Sequence, residues 1–224
     1  MTDGTPAYWW DGSHVMIVGA TGAGSDKGGK TATAHYWATA ALDHGFDYAI
    51  AYAPKGGGYA FPAVRDARAA ATAIADGLPA VMWVPRDAAE PADEHADVVA
   101  FAEGLDGDVL LVHDDAVMYD EADSLKRSTA LLGNPADEDD DRVKSIVATQ
   151  DPWDMPRKGV RSNVDVVAWV GPLTDAGRSW LRQRGTGEDR IDAIEEHGRT
   201  PHAWSVLNAD DLDRYPPVPE AFAE

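Results

Sequence analysis

The sequence predicts an α/β fold in which a mostly parallel sheet is covered on both faces by helices. Three observations lead there. Short apolar runs alternate with helix-spaced segments along most of the chain, the pattern of strands joined by helical crossovers. A glycine-rich stretch lies between the first apolar run and the first helical one. The polar residues able to do chemistry fall just past the apolar runs, where ligands bind in such sheets.

The elements follow in order. His14 to Val18 is a short apolar run that ends at a glycine and reads as a buried strand. Thr31 to Leu42 is alanine-rich with helical spacing. Asp47 to Tyr52 is a second strand, and Pro54-Lys55-Gly56-Gly57-Gly58 a loop. Ala63 to Ala75 reads as a helix stopped by Gly77 and Pro79. A strand over Ala80–Val84 and a helix over Asp93–Glu103 come next, then a strong strand at Asp108–Val112. Glu121 to Leu132 is expected to be helical, and the acidic run at 137–141 an exposed loop. Strands follow at Lys144–Thr149 and Val164–Val170, helices at Asp175–Arg184 and Asp189–His197, and a last strand at Ala203–Leu207. From Asp210 the chain is acidic and proline-bearing, and a loosely docked tail is expected.

Residues Gly24, Ser25, Asp26, Lys27, Gly28, Gly29, Lys30 and Thr31 satisfy the pattern G-x-x-x-x-G-K-[ST]. Glycines let the backbone curl so that several N–H groups face one anion. The helix that follows adds the positive end of its dipole. Lys30 is expected to reach the terminal phosphates of a nucleotide, and the Thr31 hydroxyl to coordinate Mg²⁺. Position between a strand and a helix separates this segment from an ordinary glycine turn. A second motif, Val109 to Val112 followed by His113-Asp114-Asp115, is an apolar strand ending in acids. It looks like a Walker B motif, with Asp114 holding the magnesium and Asp115 orienting and deprotonating the attacking water. His113 reads as a packed strand-end residue; the competing reading makes it a metal ligand beside the aspartates.

The third motif is Ser145 to Thr149 followed by Gln150-Asp151-Pro152, a strand whose end places an amide near a terminal phosphate. Walker A, a strand with two acids, and a strand ending in glutamine, in that order, resemble the HerA/FtsK superfamily of DNA-translocating ATPases. The stretch from Trp153 to Asp165 is similar to that family as well. The short chain looks most like the genome-packaging ATPases of internal-membrane icosahedral viruses. The resemblance covers roughly residues 14–171. It implies a three-layer, RecA/ASCE-like P-loop NTPase that binds ATP and Mg²⁺. The pattern along the chain divides it into a lead-in at 1–12, an ATPase domain over 13–208 and an acidic tail at 209–224. The resemblance implies catalytic roles for Lys30, Asp115, Gln150 and an arginine acting on a neighbouring subunit, for which Arg142 sits shortly before the glutamine strand, somewhat closer to the glutamine than is usual, and Arg157 and Arg161 are rivals. Asp115 departs from the family's usual glutamate by one methylene. The partners implied are double-stranded DNA, a homo-oligomeric ring of five or six copies and capsid vertex proteins, in the host cytoplasm and at the packaging vertex of the virion. In such a ring Lys55, Arg65 and Arg68 are either pore cations or ordinary surface charge. A cellular HerA/FtsK-like translocase and a small-molecule kinase are the alternatives, the latter with Arg178, Arg182 and Arg184 as a lid.

Composition bounds these readings. The chain has 224 residues and a 44% hydrophobic share, enough for one full core. No apolar run is long enough to span a bilayer, the start at Met1-Thr2-Asp3-Gly4 does not resemble a secretory signal, and without cysteine there is no disulfide or thiolate site. Nineteen basic against 39 acidic residues give a net charge of −20. Such a chain repels itself at low salt and is relieved at molar salt, so the composition resembles a halophilic proteome. That narrows the viral resemblance to viruses of haloarchaea. It also weakens the usual inference that an acidic protein avoids nucleic acid.

Overall fold

The computed structural model describes residues 14–19, 29–130, 143–201, 203–208 and 211–222. Among them nine strands form one sheet: β1 His14–Val18, β2 Tyr48–Tyr52, β3 Ala63–Val64, β4 Ala80–Trp83, β5 Val109–His113, β6 Val143–Thr149, β7 Val164–Val170, β8 Trp204–Asn208 and β9 Asp211–Tyr215. Their order is β3-β4-β2-β5-β6-β1-β7-β8-β9. Every pairing from β3 to β7 is parallel, and β8 and β9 are added antiparallel. The helices are α1 Lys30–Asp43, α2 Ala67–Ala75, α3 Pro91–Glu103, α4 Asp123–Ser128, α5 Asp175–Gln183 and α6 Glu188–His197.

Alternation along the strands builds two cores. On β1, Val15 and Ile17 face Ala34, Trp37, Ala38 and Ala41 of α1, while Met16 and Val18 belong to the opposite core with Val98 of α3, Leu125 of α4, Leu181 of α5 and Ile191 of α6. Successive strand side chains point to opposite faces, so a strand buried on both sides is apolar over most of its length. Each fully buried Val or Ile contributes roughly 1.5–3 kcal/mol. The result is the three-layer, mostly parallel arrangement expected from the sequence.

Three elements differ from expectation. Ala63 and Val64 are a short edge strand beside β4 rather than the start of a helix. The helix begins after Asp66, whose carboxylate accepts from the Ala69 N–H at 2.8 Å and so caps it. Of the helix expected over Glu121–Leu132, the described residues form only the short α4, and a separate 3₁₀ turn at Ala116–Tyr119 precedes it. Ser128 and Thr129 both turn their hydroxyls back onto the Leu125 carbonyl, at 2.9 and 3.2 Å, a local alternative to continuing the helix. The chain after Asp210 docks firmly: β9 pairs with β8, Tyr215 stacks on Trp204 with ring centroids 4.1 Å apart, and Phe222 packs edge-on to His35 of α1 at 5.0 Å.

Candidate functional site

Strand order brings the chemistry together. β6 lies between β5 and β1, so the carboxyl ends of all three are neighbours. Val18 is in register with Thr149, and the Gly19 N–H continues the ladder by donating to the Thr149 carbonyl at 3.3 Å. Gln150, half-buried, is the next residue on that strand end. Gly19 is required by packing, because a Cβ there would come within 2.6 Å of the Val170 carbonyl oxygen. α1 opens after Gly29, whose φ of 139° suits glycine and whose missing side chain provides no cap for the first-turn N–H groups.

Lys30 is buried and its Nζ donates to the Gly19 carbonyl at 2.9 Å. Burial pulls its pKa below the usual lysine value, while Asp115 and Asp114 oppose that shift. The Thr31 hydroxyl donates to Asp114, with its oxygen 3.2 Å from Oδ1 and 3.3 Å from Oδ2. Asp114 is also buried and receives the Asp115 N–H at 3.1 Å. Burial first, and the neighbouring Asp115 second, raise its carboxyl to about 6. Asp115 has φ 45° and ψ 47°, the one non-glycine residue with positive φ among the described residues. Aspartate tolerates that left-handed conformation better than most side chains.

A further segment joins the site. The loop after β2 carries Lys55, whose Nζ lies 2.6 Å from Asp115 Oδ2. Gly58, at φ +87°, packs so closely on α1 that a Cβ would come within 2.2 Å of Thr31 Cγ2. Tyr59 follows it and is buried. Lys55 is therefore paired with a carboxylate of the site. Of the other two cations grouped with it, Arg65 donates to the Pro85 carbonyl at 3.3 Å and Arg68 is exposed. The sequence marks this loop by the glycine triplet at 56–58, with three residues between it and the end of β2.

His113 commits both ring nitrogens elsewhere. Nδ1 meets His95 Nε2 at 2.9 Å, and Nε2 lies 3.0 Å from Ser128 Oγ and 3.2 Å from Ser145 Oγ. His95 Nδ1 in turn meets Ser124 Oγ at 2.7 Å. This leaves no lone pair for a metal beside the aspartates, so the packed reading of His113 holds. Burial lowers the pKa of His95 to about 3 and of His14, which accepts from the Ser145 N–H, to about 4. These folded values lie below the ordinary 6.5, so the neutral histidines contribute stability that is complete above pH 6.5. It is lost as pH falls from there toward 4 and then 3. A second proton on the His95–His113 pair would set two N–H groups against each other. Denaturant midpoints measured from pH 7 to 4 are expected to fall steeply for the wild type and less steeply for His95→Gln, which cannot take up a proton.

Gly24 to Gly28 and Arg142 lie outside the described residues, as do the aromatic lead-in and the acidic run at 137–141. The rival arginines fall together elsewhere: Arg161 lies over the Trp153 ring at 4.9 Å, and with Arg157, Trp180 and Arg184 they line one hollow.

A buried lysine, a hydroxyl, two carboxylates and an uncapped helix start suit a phosphorylated ligand held with a divalent cation. The fit to Mg²⁺ rests on Asp114, a buried carboxylate whose charge is met by one long hydroxyl contact and one N–H. Hard oxygen donors of this kind are what Mg²⁺ takes, usually with phosphate oxygens and water completing the shell.

The fold and the strand-end placement of these groups define the class: a three-layer α/β P-loop NTPase fold. Among solved structures it resembles the genome packaging NTPase B204 from Sulfolobus turreted icosahedral virus 2 in complex with ATP-gammaS, with a TM-score of 0.60 and 13% identity over 93% of this chain and 98% of that one. It is equally similar to B204, the DNA-packaging ATPase from Sulfolobus Turreted Icosahedral Virus, with a TM-score of 0.60 and 12% identity over 92% and 97% of the two chains. At such identities the likeness is one of fold. These neighbours are the kind of viral protein that the order of the motifs resembles. No protein-family model matches the chain, and no curated protein does.

Proposed function

We propose that the chain is an ATP-hydrolysing motor that translocates double-stranded DNA and packages a viral genome into a preformed capsid. The observation that carries this reading is the convergence of Lys30, Thr31 and Asp114 at the carboxyl ends of β1 and β5, in a fold shared with viral genome-packaging NTPases. The backbone of Gly24 to Gly29 would cradle the phosphates, and Lys30 would neutralise charge on the terminal ones. Thr31 and Asp114 would hold Mg²⁺, which neutralises phosphate charge when bound. Asp115 is the candidate base for the attacking water, and Gln150 the amide that positions water or reads the terminal phosphate. Arg142 is the candidate for the charge supplied across a subunit interface, which would tie hydrolysis to a ring of five or six copies. Capsid vertex proteins, a haloarchaeal virus, the host cytoplasm and the virion vertex belong to the same reading. It accords with the finding that no helix among the described residues is long and apolar enough to cross a membrane.

The kinase alternative takes the arginine-bearing stretch after Pro172 as its lid. Arg178 is paired with Asp192 and Glu195, Arg182 with Glu188, and Arg184 lies over Trp180. Those arginines are thus engaged on their own surface rather than turned toward Lys30 and Asp114. The test is ATP hydrolysis followed from low to molar salt, with and without duplex DNA. DNA is expected to raise the rate several-fold. Because counterion release gains little in concentrated salt, the stimulation should survive there only by enclosure of the duplex, so circular DNA trapped in an assembled ring should resist challenge by salt better than short linear DNA. Hydrolysis unaffected by DNA at every salt would remove the translocase reading and leave the ATPase.

A further inference from the structure

Lys55 sits where the proposed function needs no residue. One lysine already addresses the phosphates, and both carboxylates have roles. Its surroundings are nevertheless built. The strand before it is anchored by the Ala53 N–H donating to the Trp83 carbonyl at 2.9 Å, and the Gly56 N–H closes a turn onto Ala53 at 2.9 Å. Buried Tyr59 anchors the other end. Between them Gly56 and Gly58 adopt φ of +68° and +87°, conformations that hold the loop down against Val84 and Thr31. The loop therefore rests on the first turn of α1 and carries Lys55 at its tip.

The two partners of the ion pair differ in freedom. The Lys55 side chain is 58% exposed, that of Asp115 13%. The carboxylate is fixed by its left-handed backbone and the lysine is the mobile member. A half-exposed pair of this kind is weakly held, so a stronger anion can draw the lysine away. Lys55 is also close enough to Lys30 to disfavour its charge. Lys30, Lys55, Asp114 and Asp115 thus form one electrostatic group with two charges of each sign. A terminal phosphate arriving beside Lys30 and Thr31 brings extra negative charge into it, and only Lys55 is free to turn toward that charge.

We infer that Lys55 is a second phosphate-reading lysine, shared between Asp115 and the terminal phosphate of a nucleoside triphosphate, so that a third phosphate frees Asp115 and a diphosphate does not. This rests on the ATPase reading above. It assigns the glycine loop the discrimination between triphosphate and diphosphate. It also opens the candidate base to a water only when a third phosphate is present, because the Asp115 oxygen that Lys55 occupies, 2.6 Å away, is otherwise taken.

Titration calorimetry with ADP and with the slowly hydrolysed analogue ATPγS tests it, on wild type, Lys55→Met, Lys55→Arg, Asp115→Asn and the Lys55→Met/Asp115→Asn double variant. Thermal midpoints verify that each is folded. A charge-assisted hydrogen bond to phosphate is worth about tenfold or more in affinity. Lys55→Met is therefore expected to weaken ATPγS by about that factor while ADP stays within about twofold, and Lys55→Arg to recover most of the loss. Asp115→Asn releases the lysine and should tighten ATPγS, and this gain should vanish in the double variant. Equal losses for both nucleotides, or no loss for either, would overturn the inference while the ATPase reading stands. A gain that persists in the double variant would overturn the sharing with Asp115. A wild type that binds neither nucleotide would remove the ATPase reading and this inference with it.

Discussion

Replacing Lys30 by alanine is expected to lower ATP hydrolysis by about a hundredfold to a thousandfold, the loss seen when a preorganised donor to a reacting oxyanion is removed. The size follows from how Lys30 is held. Its ammonium is buried and already desolvated, donates to the Gly19 carbonyl at 2.9 Å, and lies within the field of both aspartates. Held in this way it has little conformational freedom left to lose, and a buried charge is worth more than one at the surface. The same substitution has a smaller structural cost. The Gly19 carbonyl loses its side-chain donor and the two carboxylates lose a counter-charge, a penalty of about 1–3 kcal/mol. Single-turnover hydrolysis and the thermal midpoint, measured on the same preparation, separate the two effects. A Lys30→Ala protein that is folded and retains more than about a tenth of the wild-type rate would place the phosphates away from this loop.

Lys30, Thr31 and Asp114 are candidates a sequence can offer because each is marked locally, the first two by a strand, a glycine-rich turn and a helix start in order, the third by an apolar strand that ends in acids. Lys55 is not marked in this way. Its meaning depends on β2 lying next to β5 with Tyr52 in register with His113, which puts the residues after one strand beside those after the other. That neighbour relation joins segments far apart in the chain, and no short window of sequence contains it. The alternation of apolar and helical segments was enough for the layered fold. It failed at Ala63–Val64, where a cap at Asp66 fixed the helix start. It failed again at Asp211–Tyr215, where acidic residues hid a strand held by Tyr215 on one face of the sheet and Leu212 on the other. His113 shows the same limit. A histidine before two aspartates suggests a metal ligand, and only the approach of His95, Ser128 and Ser145 from three other elements decides against it.

Asp114→Asn should move stability and activity in opposite directions. The Asp114 carboxyl titrates near 6 in the folded chain because burial and Asp115 oppose its charge, against about 3.9 in an unfolded one. The folded state thus binds the extra proton more tightly. Stability contributed by this group is present at low pH and is lost as pH rises from about 4 to 6, by up to about 3 kcal/mol. Above pH 6 the ionised carboxylate is a net cost in the metal-free protein. Asparagine keeps an oxygen to accept the Thr31 hydroxyl and has no charge to bury, so at pH 7.5 without Mg²⁺ the variant should melt higher, by about 2–4 °C for each kcal/mol regained. Lys30 keeps Asp115 as a counter-charge, which limits the loss on that side. With Mg²⁺ and nucleotide the order should reverse. Binding to the native state raises the wild-type midpoint by mass action, and the variant, lacking the anionic ligand, should gain little and hydrolyse at least about a hundredfold more slowly. The pH dependence sharpens the comparison, since protons and Mg²⁺ compete for Asp114 and metal-dependent stabilisation of the wild type should fade as pH drops through about 6. A lower metal-free midpoint for Asp114→Asn at pH 7.5 would mean that the contacts to Thr31 and the attraction of Lys30 already outweigh the cost of burial. The carboxylate would then be a structural brace rather than a charge kept in reserve for a cation.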